Sequence, residues 1–432
     1  MTAPAADVAT IRGWCPGALR PMESGDGLIV RLKLTCGIVP LDLARRIAGW
    51  ANRFGNGEID LTARASLQIR GVTDTSLPDL QDAIAEAGLL DDDPDGEAIR
   101  NVIASPLAGL DPDALLDIRP TVAALEARLA GDVELYALPA KFCFAVDDGG
   151  RFDLGDVRAD VRFEAVAGPA FAIRLDGAPE MALGPCRPDE VADVAASLAR
   201  VFLTLRRDAR RMRNLVTRTG AEAIAGGTSL PLRRHSREGG NPSQATAQMD
   251  GWGPAFAGMA LGIIGVGLPF GRFSADNFRR LAEQAAKADA TELRLTPWRA
   301  ILSPCPSQER ADKRAQSLPS DAFILDPTDP RRRVAACVGA PACQRATTDI
   351  RADAGRLAPL VAENQFLHLS GCAKGCAHPR RAPVTLVGNN GRYDLIRDGA
   401  PSDSPIRTGL TLDEAAAYLR EMAATQTQGP AS

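Results

Sequence analysis

The chain has 432 residues, 45% of them apolar and 24% charged, with a formal net charge of −4. That length carries two or three domains with ample core, and the acidic balance excludes a general nucleic-acid binder while leaving room for a local basic cleft. The start, Met1-Thr-Ala-Pro-Ala-Ala-Asp7, has no basic segment followed by an apolar run, and the longest apolar stretch, near Met259 to Phe270, is too short to span a bilayer. Nine cysteines without a secretory leader point to a reducing compartment, so the cytoplasm is expected, with neither nucleic acid nor membrane as a partner.

In chain order, Gly27-Leu-Ile-Val-Arg-Leu-Lys-Leu34 is rich in branched residues and reads as a strand. Pro40 opens a helix at its first turn, and Leu43, Ile47, Trp50 and Phe54 follow at helical spacing. The turn Gly55-Asn-Gly57 leads to two strand-like runs, Glu58 to Thr62 and Ser66 to Arg70, with Arg64 between them. The same programme returns later. Gly262 to Leu268 is strand-like, Ser274 caps a helix carrying Phe278, Leu281 and Ala285, and Glu292 to Thr296 and Ala300 to Leu302 follow. Pro269 and the delayed helix make Gly265-Val-Gly267 a strand end rather than a dinucleotide loop.

The segments after each half correspond as well. Arg100 to Gly109 lines up with Arg333 to Gly339, Leu138 to Cys143 with Gly371 to Cys376, and Gly149 to Leu154 with Asn390 to Leu395. The expected organisation is a duplication: residues 10–75 and 76–232 form the first half, 259–320 and 321–424 the second. Residues 233–258, rich in Gly, Pro, Ser and Gln, are expected to be a flexible inserted linker, which removes His235 from consideration as a ligand. Thr411 and Glu414 form a capping box for a last helix, and 425–432 are expected to be a disordered tail. A duplicated protein of this kind naturally buries a large ligand where residues of both halves converge.

The most informative residues lie in the second half. Cys337 and Cys343 make a C-x5-C pair, and after 28 residues Cys372 and Cys376 make a C-x3-C pair. Four thiolates in two close pairs suit a [4Fe–4S] cube, which takes one cysteine per iron. Zinc sites favour pairs two to four residues apart, and unrelated buried cysteines fit the spacing too. Arg64, Arg70, Arg100, Lys141 and Arg299 sit at the turning points of the repeat. Such cations hold carboxylates well, and each taken alone is equally a solvated charge or a salt bridge.

The cysteine pairs, together with Leu61-Thr-Ala-Arg64-Ala-Ser-Leu-Gln-Ile-Arg70 and Arg100-Asn101-Val102, resemble the sirohaem-dependent nitrite and sulfite reductase superfamily. The resemblance implies an α+β fold of pseudo-twofold duplicated architecture, with two ferredoxin-like half-domains and two nitrite/sulfite-reductase-type αβ units. It implies that Cys337, Cys343, Cys372 and Cys376 hold a [4Fe–4S] cluster and that Cys376 also bridges to the sirohaem iron. Positions matching Arg64, Arg100 and Lys141 line the tetrapyrrole and anion site as catalytic groups, with Arg70, Asn101, Arg299 and Lys374 as further tetrapyrrole-binding residues.

Arg12-Gly-Trp-Cys15-Pro-Gly, Leu138-Pro-Ala-Lys141-Phe-Cys143 and His368-Leu-Ser-Gly-Cys372 are similar to one short branch of that superfamily, the precorrin-3B synthases of aerobic cobalamin biosynthesis. In the anion reductases a second lysine stands where this chain has Cys143, a departure that favours the synthase branch over sulfite or nitrite reduction, the alternative. The branch implies an iron–sulfur monooxygenase that hydroxylates precorrin-3A at C20 with closure of a γ-lactone. Its partners would be precorrin-3A, dioxygen and a separate electron-donating reductase that delivers NADH-derived electrons. Oxygen would be activated at sirohaem or at a mononuclear iron. For His368 and His378, hydrogen bonding that supports the cluster loop is expected rather than iron ligation.

Overall fold

The computed structural model describes residues 14–228, 232–234 and 262–427. The chain divides into two compact units, one of Met1–Arg20 with Asp91–Gly240 and the other of Pro21–Leu90 with Asn241–Ser432. From residue 235 onward the expected linker lies outside the described residues, as does the tail beyond Thr427.

In chain order the second unit begins with β1 (Met22–Ser24), β2 (Gly27–Leu32), β3 (Ile38–Pro40), the helix Leu41–Phe54, β4 (Glu58–Leu61) and β5 (Leu67–Val72). The intervening unit holds β6 (Val102–Ala104), β7 (Phe144–Asp147), β8 (Val161–Val166), β9 (Ala170–Leu175), β10 (Ala178–Cys186) and β11 (Leu232–Arg234). Arg233 and Arg234, expected in the linker, thus pair with β10. The second unit resumes with β12 (Gly262–Gly267), β13 (Arg272–Ser274), the helix Ala275–Lys287, β14 (Glu292–Leu295) and β15 (Ala300–Cys305). It ends with β16 (Val334–Ala336), β17 (Leu367–Ser370), β18 (Ala382–Asn389), β19 (Arg392–Gly399), β20 (Arg407–Leu410) and the helix Leu412–Thr427, which continues three residues into the expected tail.

The two half-domains exchange strands. One sheet runs β1-β2-β5-β4-β13 and the other β12-β15-β14-β3, so each half lends an edge strand to the other. The sequence-based expectation of one strand from Gly27 to Leu34 therefore fails at its end. Cys36 (φ 54°) and Gly37 (φ 64°) turn the chain out of its own sheet, and Phe270 (φ 55°) and Gly271 (φ 75°) do so in the other half. A Cβ on Gly37 would stand 2.8 Å from the Leu295 carbonyl oxygen, and one on Gly271 would stand 3.1 Å from that of Leu61. Only glycine fits such an approach in a left-handed conformation. Pro40 ends β3 and precedes the helix instead of occupying its first turn. Ser274 caps its helix as expected, accepting from the Asn277 amide at 3.2 Å.

The two αβ sheets share a topology. β6, β7 and β8 are parallel and β8, β9, β10 and β11 antiparallel, while β16, β17 and β18 are parallel and β18, β19 and β20 antiparallel. Val102 pairs with Phe144 and Phe144 with Val161, just as Val334 pairs with Leu367 and Leu367 with Val384. This register corrects three expected correspondences. Cys143 is the counterpart of Phe366, not of Cys376, since the cysteine loop follows its strand whereas Cys143 precedes β7. Arg100 answers to Arg332, one residue earlier than expected. Asn390 and Gly391 turn the β18–β19 hairpin, so they do not answer to Gly149 and Gly150. In the half-domains Leu67 and Ile301 pair with Leu61 and Leu295, which makes Trp298 the counterpart of Arg64 and Ala65 that of Arg299.

The core of the second αβ unit takes Leu367 and Leu369 from one face of β17, packed with Val384, Leu386 and Tyr393. Strand alternation sends His368 and Ser370 to the other face.

Candidate functional site

Both cysteine pairs leave the carboxyl ends of adjacent parallel strands, β16 and β17. That edge of a parallel sheet is where ligands are held in open α/β folds. The Cys337 amide donates to Leu369 O at 3.2 Å, prolonging the ladder, and the Gly371 amide donates to the Cys337 sulfur at 3.1 Å. An amide aimed at sulfur stabilises a thiolate. Gly371 is needed there, because a Cβ would stand 2.6 Å from Ala346 Cβ and 3.5 Å from the Cys337 sulfur. The Cys343 amide bonds Gly339 O at 2.8 Å, and Ser370 Oγ bonds Cys372 O at 2.7 Å, so each loop is internally pinned.

Burial pushes the Cys337 thiol up, backbone donors from Gly371 and Gly339 pull it down, and the neighbouring Cys376 and Cys343 thiols raise it again. Cys337 therefore stands in the field of two of the other three thiols. Cys337, Cys343 and Cys372 are half-buried and Cys376 is exposed; among the described residues none forms a disulfide. Among the described residues no three His, Cys, Asp or Glu side chains converge as a single ion requires. A four-iron cube spreads its sulfur ligands wider than one ion does, and the donor set, four soft thiols with amide support, fits such a cube.

The loop from Cys337 to Cys343 is held from the first half-domain. Ala342 O accepts from Ser24 Oγ at 2.5 Å, from the Gly25 amide at 3.1 Å and from Arg70 Nη2 at 3.1 Å. A Cβ on Gly25 would stand 2.0 Å from the Pro341 carbonyl oxygen. Arg70 also bonds Asp26 at 2.6 and 2.8 Å, Asp60 at 3.2 Å and Ser24 Oγ at 2.9 Å, and it is 1% exposed. Its expected role on a tetrapyrrole is thereby corrected: Arg70 braces the cysteine loop and presents no face to a ligand. Asp60 is the hub beneath it, bonded also by Arg272 at 2.7 Å and Arg351 at 2.9 Å. Burial opposes its charge, yet Arg351, Arg272 and Arg70 hold it well below the usual carboxylate range.

Of the other cations in this unit, Arg64 is half-buried in the β4–β5 turn, its amide bonded to Thr62 Oγ1 at 3.2 Å. Lys374 is exposed between Cys372 and Cys376. Arg299 is half-buried with φ 58°. Its charge is disfavoured by burial and favoured through space by Asp60 and Cys337. His368 is fully buried, and neither ring nitrogen has a hydrogen-bond partner among the described residues, contrary to the expected loop-supporting bond. Burial, then His378 and Arg299, push it down to about 4, so it is neutral. His378 lies 3.4 Å from Arg381 O, within its own loop.

In the other unit, Arg100 makes a two-point bond to Asp91 at 2.7 and 2.9 Å and reaches Glu126 at 3.3 Å. Two carboxylates answer its charge in this structure, a structural part beside the catalytic role expected of it. Asn101 is 5% exposed, and its amide donates to the carbonyls of Ala98, Ala140 and Phe142 at 3.0, 3.2 and 3.2 Å. It clips the backbone on both sides of Lys141 rather than contacting a ligand. Lys141 itself is exposed. Cys143 is fully buried, its amide bonded to Asp160 at 3.0 Å, so no second cation stands two residues after Lys141.

Sequence reading missed the Ser24-Gly25 brace and the Asp60 hub. The glycine of Ser24-Gly25-Asp26 was the available signal, since glycine is the residue that lets another backbone approach closely.

A model of the nitrite/sulfite reductase ferredoxin-like half domain matches residues 20–87, and one of the nitrite and sulphite reductase 4Fe-4S domain matches residues 95–234. The chain is 34% identical over 428 residues to a precorrin-3B synthase of Sinorhizobium sp, covering 94% of this chain and 87% of that protein. The chain belongs to the nitrite and sulfite reductase superfamily.

Within the superfamily it is also 27% identical to the ferredoxin–nitrite reductase of Synechococcus elongatus, over 87% of this chain and 78% of that one. The NirA protein of Mycobacterium tuberculosis has the same fold, with a TM-score of 0.70 at 20% identity, over 92% of this chain and 80% of that structure. Superfamily membership makes this an iron–sulfur enzyme of duplicated α+β architecture. The matched 4Fe-4S segment is the first αβ unit, while the four cysteines lie in its topological repeat, from β16 to the loop after β17. Among the described residues no helix is long and apolar enough to cross a membrane.

Proposed function

We propose that this chain is a precorrin-3B synthase that hydroxylates precorrin-3A at C20 with closure of the γ-lactone. One atom of dioxygen enters the C20–H bond. The other leaves as water, taking two electrons and two protons. Those electrons come from NADH through a separate reductase. The observation that carries this reading is the similarity to a precorrin-3B synthase along 94% of the chain. The buried thiol of Cys143 supports it, because an anion-reducing pocket gains from a second lysine that protonates and stabilises reduced intermediates.

Cys337, Cys343, Cys372 and Cys376 would hold the cluster, which supplies electrons one at a time. Cys376, the exposed thiol, is the one suited to reach a second iron. Sirohaem brings its own nitrogen ligands, and the described residues offer no three-residue group for a mononuclear iron, so sirohaem is the better supported partner. Arg64 and Lys374 are the cations of the second unit proposed to hold carboxylates of the tetrapyrrole, and Lys141 is proposed for the same task by its motif alone. Such contacts would fix the macrocycle with C20 toward the oxidant, and orientation of that kind supplies much of a barrier reduction.

Incubation with precorrin-3A, an electron donor and oxygen, followed by mass spectrometry, tests the reading. A product heavier by one oxygen is expected. Turnover of sulfite or nitrite in parallel samples, with no oxygenated tetrapyrrole, would replace it with the reductase alternative, which the similarity to nitrite reductases keeps in view.

A further inference from the structure

The second unit contains a cavity of about 500 Å³ that the proposed chemistry does not use. Its walls include Leu268, Phe270, Trp298, Ala335 and Phe366, with Arg299 among them. The volume lies within the range of about 300–1,000 Å³ usual for small-molecule sites.

The other charged groups bordering the cavity have partners. Arg331 bonds Asp329 and the carbonyls of Ser320, Asp321 and Phe323, and Arg332 bonds the Pro327 carbonyl. Asp312 accepts from Gln308 at 2.7 Å, and Asp326 accepts from the Thr328 amide and hydroxyl, each at 2.7 Å. Arg299 differs. Among the described residues its guanidinium makes no hydrogen bond, and only the fields of Asp60 and Cys337 favour its charge. Its stem lies against Gly271, where a Cβ would come within 2.8 Å of Arg299 Cδ.

The backbone sharpens the point. Phe270 and Arg299 both take positive φ, and their counterparts in the first half, Cys36 (φ 54°) and Ala65 (φ 52°), do the same. The fold therefore imposes this conformation on both halves, and small residues accept it in the first. The second half places an aromatic ring and a cation there, both facing the cavity. A half-buried guanidinium without a partner is costly unless a ligand supplies the anion.

We propose that this cavity binds a flat, apolar molecule carrying one carboxylate. The carboxylate would bond Arg299 and the apolar body would lie among Trp298, Phe270 and Phe366. The ligand is a free aromatic acid, matched to one unanswered cation, and is distinct from the many-carboxylate tetrapyrrole of the proposed reaction. The proposal is separate from the oxygenation reading, because binding alone reads it out.

The test is isothermal titration of the full-length protein with 2-naphthylacetate, with 2-(2-naphthyl)ethanol as the uncharged control. One saturable site is expected, with the alcohol binding at least about tenfold more weakly. Arg299→Gln should weaken the acid by about tenfold or more, the usual worth of a charge-assisted hydrogen bond, and Arg299→Lys by less. Ala335→Leu, which fills the floor and keeps the arginine, should abolish binding, and it decides the matter if Arg299→Gln misfolds. Absence of saturable binding, or equal binding by Arg299→Gln and Ala335→Leu, overturns the proposal. Binding that withstands uroporphyrin supports a free acid, and displacement of bound naphthylacetate by uroporphyrin overturns the proposal.

Discussion

Arg70 donates to the carbonyl of Ala342 at 3.1 Å, joining the first half-domain to the loop between Cys337 and Cys343 across 272 residues of sequence. The same guanidinium is the buried partner of Asp26 and Asp60. One side chain therefore couples the stability of the half-domain to the position of Cys343, a proposed cluster ligand.

Replacing Arg70 by Gln removes the guanidinium that answers Asp26 and one of the three on Asp60, and breaking a buried pair of this kind costs about 3–5 kcal/mol. Arg70→Lys keeps the charge but cannot reach Asp26, Asp60, Ser24 and Ala342 together, so an intermediate loss is expected. Chemical denaturation gives the stability, and iron per chain gives the loop. An Arg70→Gln protein with wild-type stability and iron would refute the coupling.

Gly25→Ala isolates the loop from the charge network. Its Cβ would stand 2.0 Å from the Pro341 carbonyl oxygen, so the segment before Cys343 must move. Overpacking of this kind costs about 1–3 kcal/mol. Cluster content and its visible absorbance should fall more than the far-ultraviolet circular dichroism, and retention of a full cluster would show that the contact is dispensable.

Asn101→Asp keeps the shape but removes the amide donors that hold the Ala98, Ala140 and Phe142 carbonyls, and it sets a negative charge against them. A loss of about 1–3 kcal/mol is expected. If Asn101 serves by positioning Lys141, the KM for the tetrapyrrole should rise more than kcat falls. Unchanged stability with unchanged kinetics would remove Asn101 from both roles.

The two units carry carboxylates with opposite pH signatures. Asp147 is raised to about 6 chiefly by burial, against backbone donors from Leu154 and Gly149. The folded state then binds a proton that the unfolded chain, near 3.8, has released, so this stability is present at low pH and is lost as pH rises through about 6. Asp60 is held below the ordinary value, so its contribution is full above that value and is lost as pH falls beneath it. Urea unfolding from pH ~4 to pH ~7 should show the first slope. Asp147→Asn should flatten it, and an unaltered slope would mean that another group titrates.

The amino-acid sequence by itself determined the duplication, the two cysteine pairs, the superfamily and most strands, because periodicity and residue type are local properties. It also marked Lys141, Arg64 and Cys143 by their place in motifs. Only the tertiary structure decided which charges have partners. Arg70 and Arg100 look alike as motif cations, yet each is answered by carboxylates that the fold brings to it, whereas Arg299, in an equally ordinary setting, makes no hydrogen bond among the described residues. The exchange of β3 and β13 was equally hidden, since two successive positive-φ residues redirect the chain into a sheet formed more than two hundred residues away. Pairing depends on which distant segments meet, and that is a property of packing rather than of spacing along the chain.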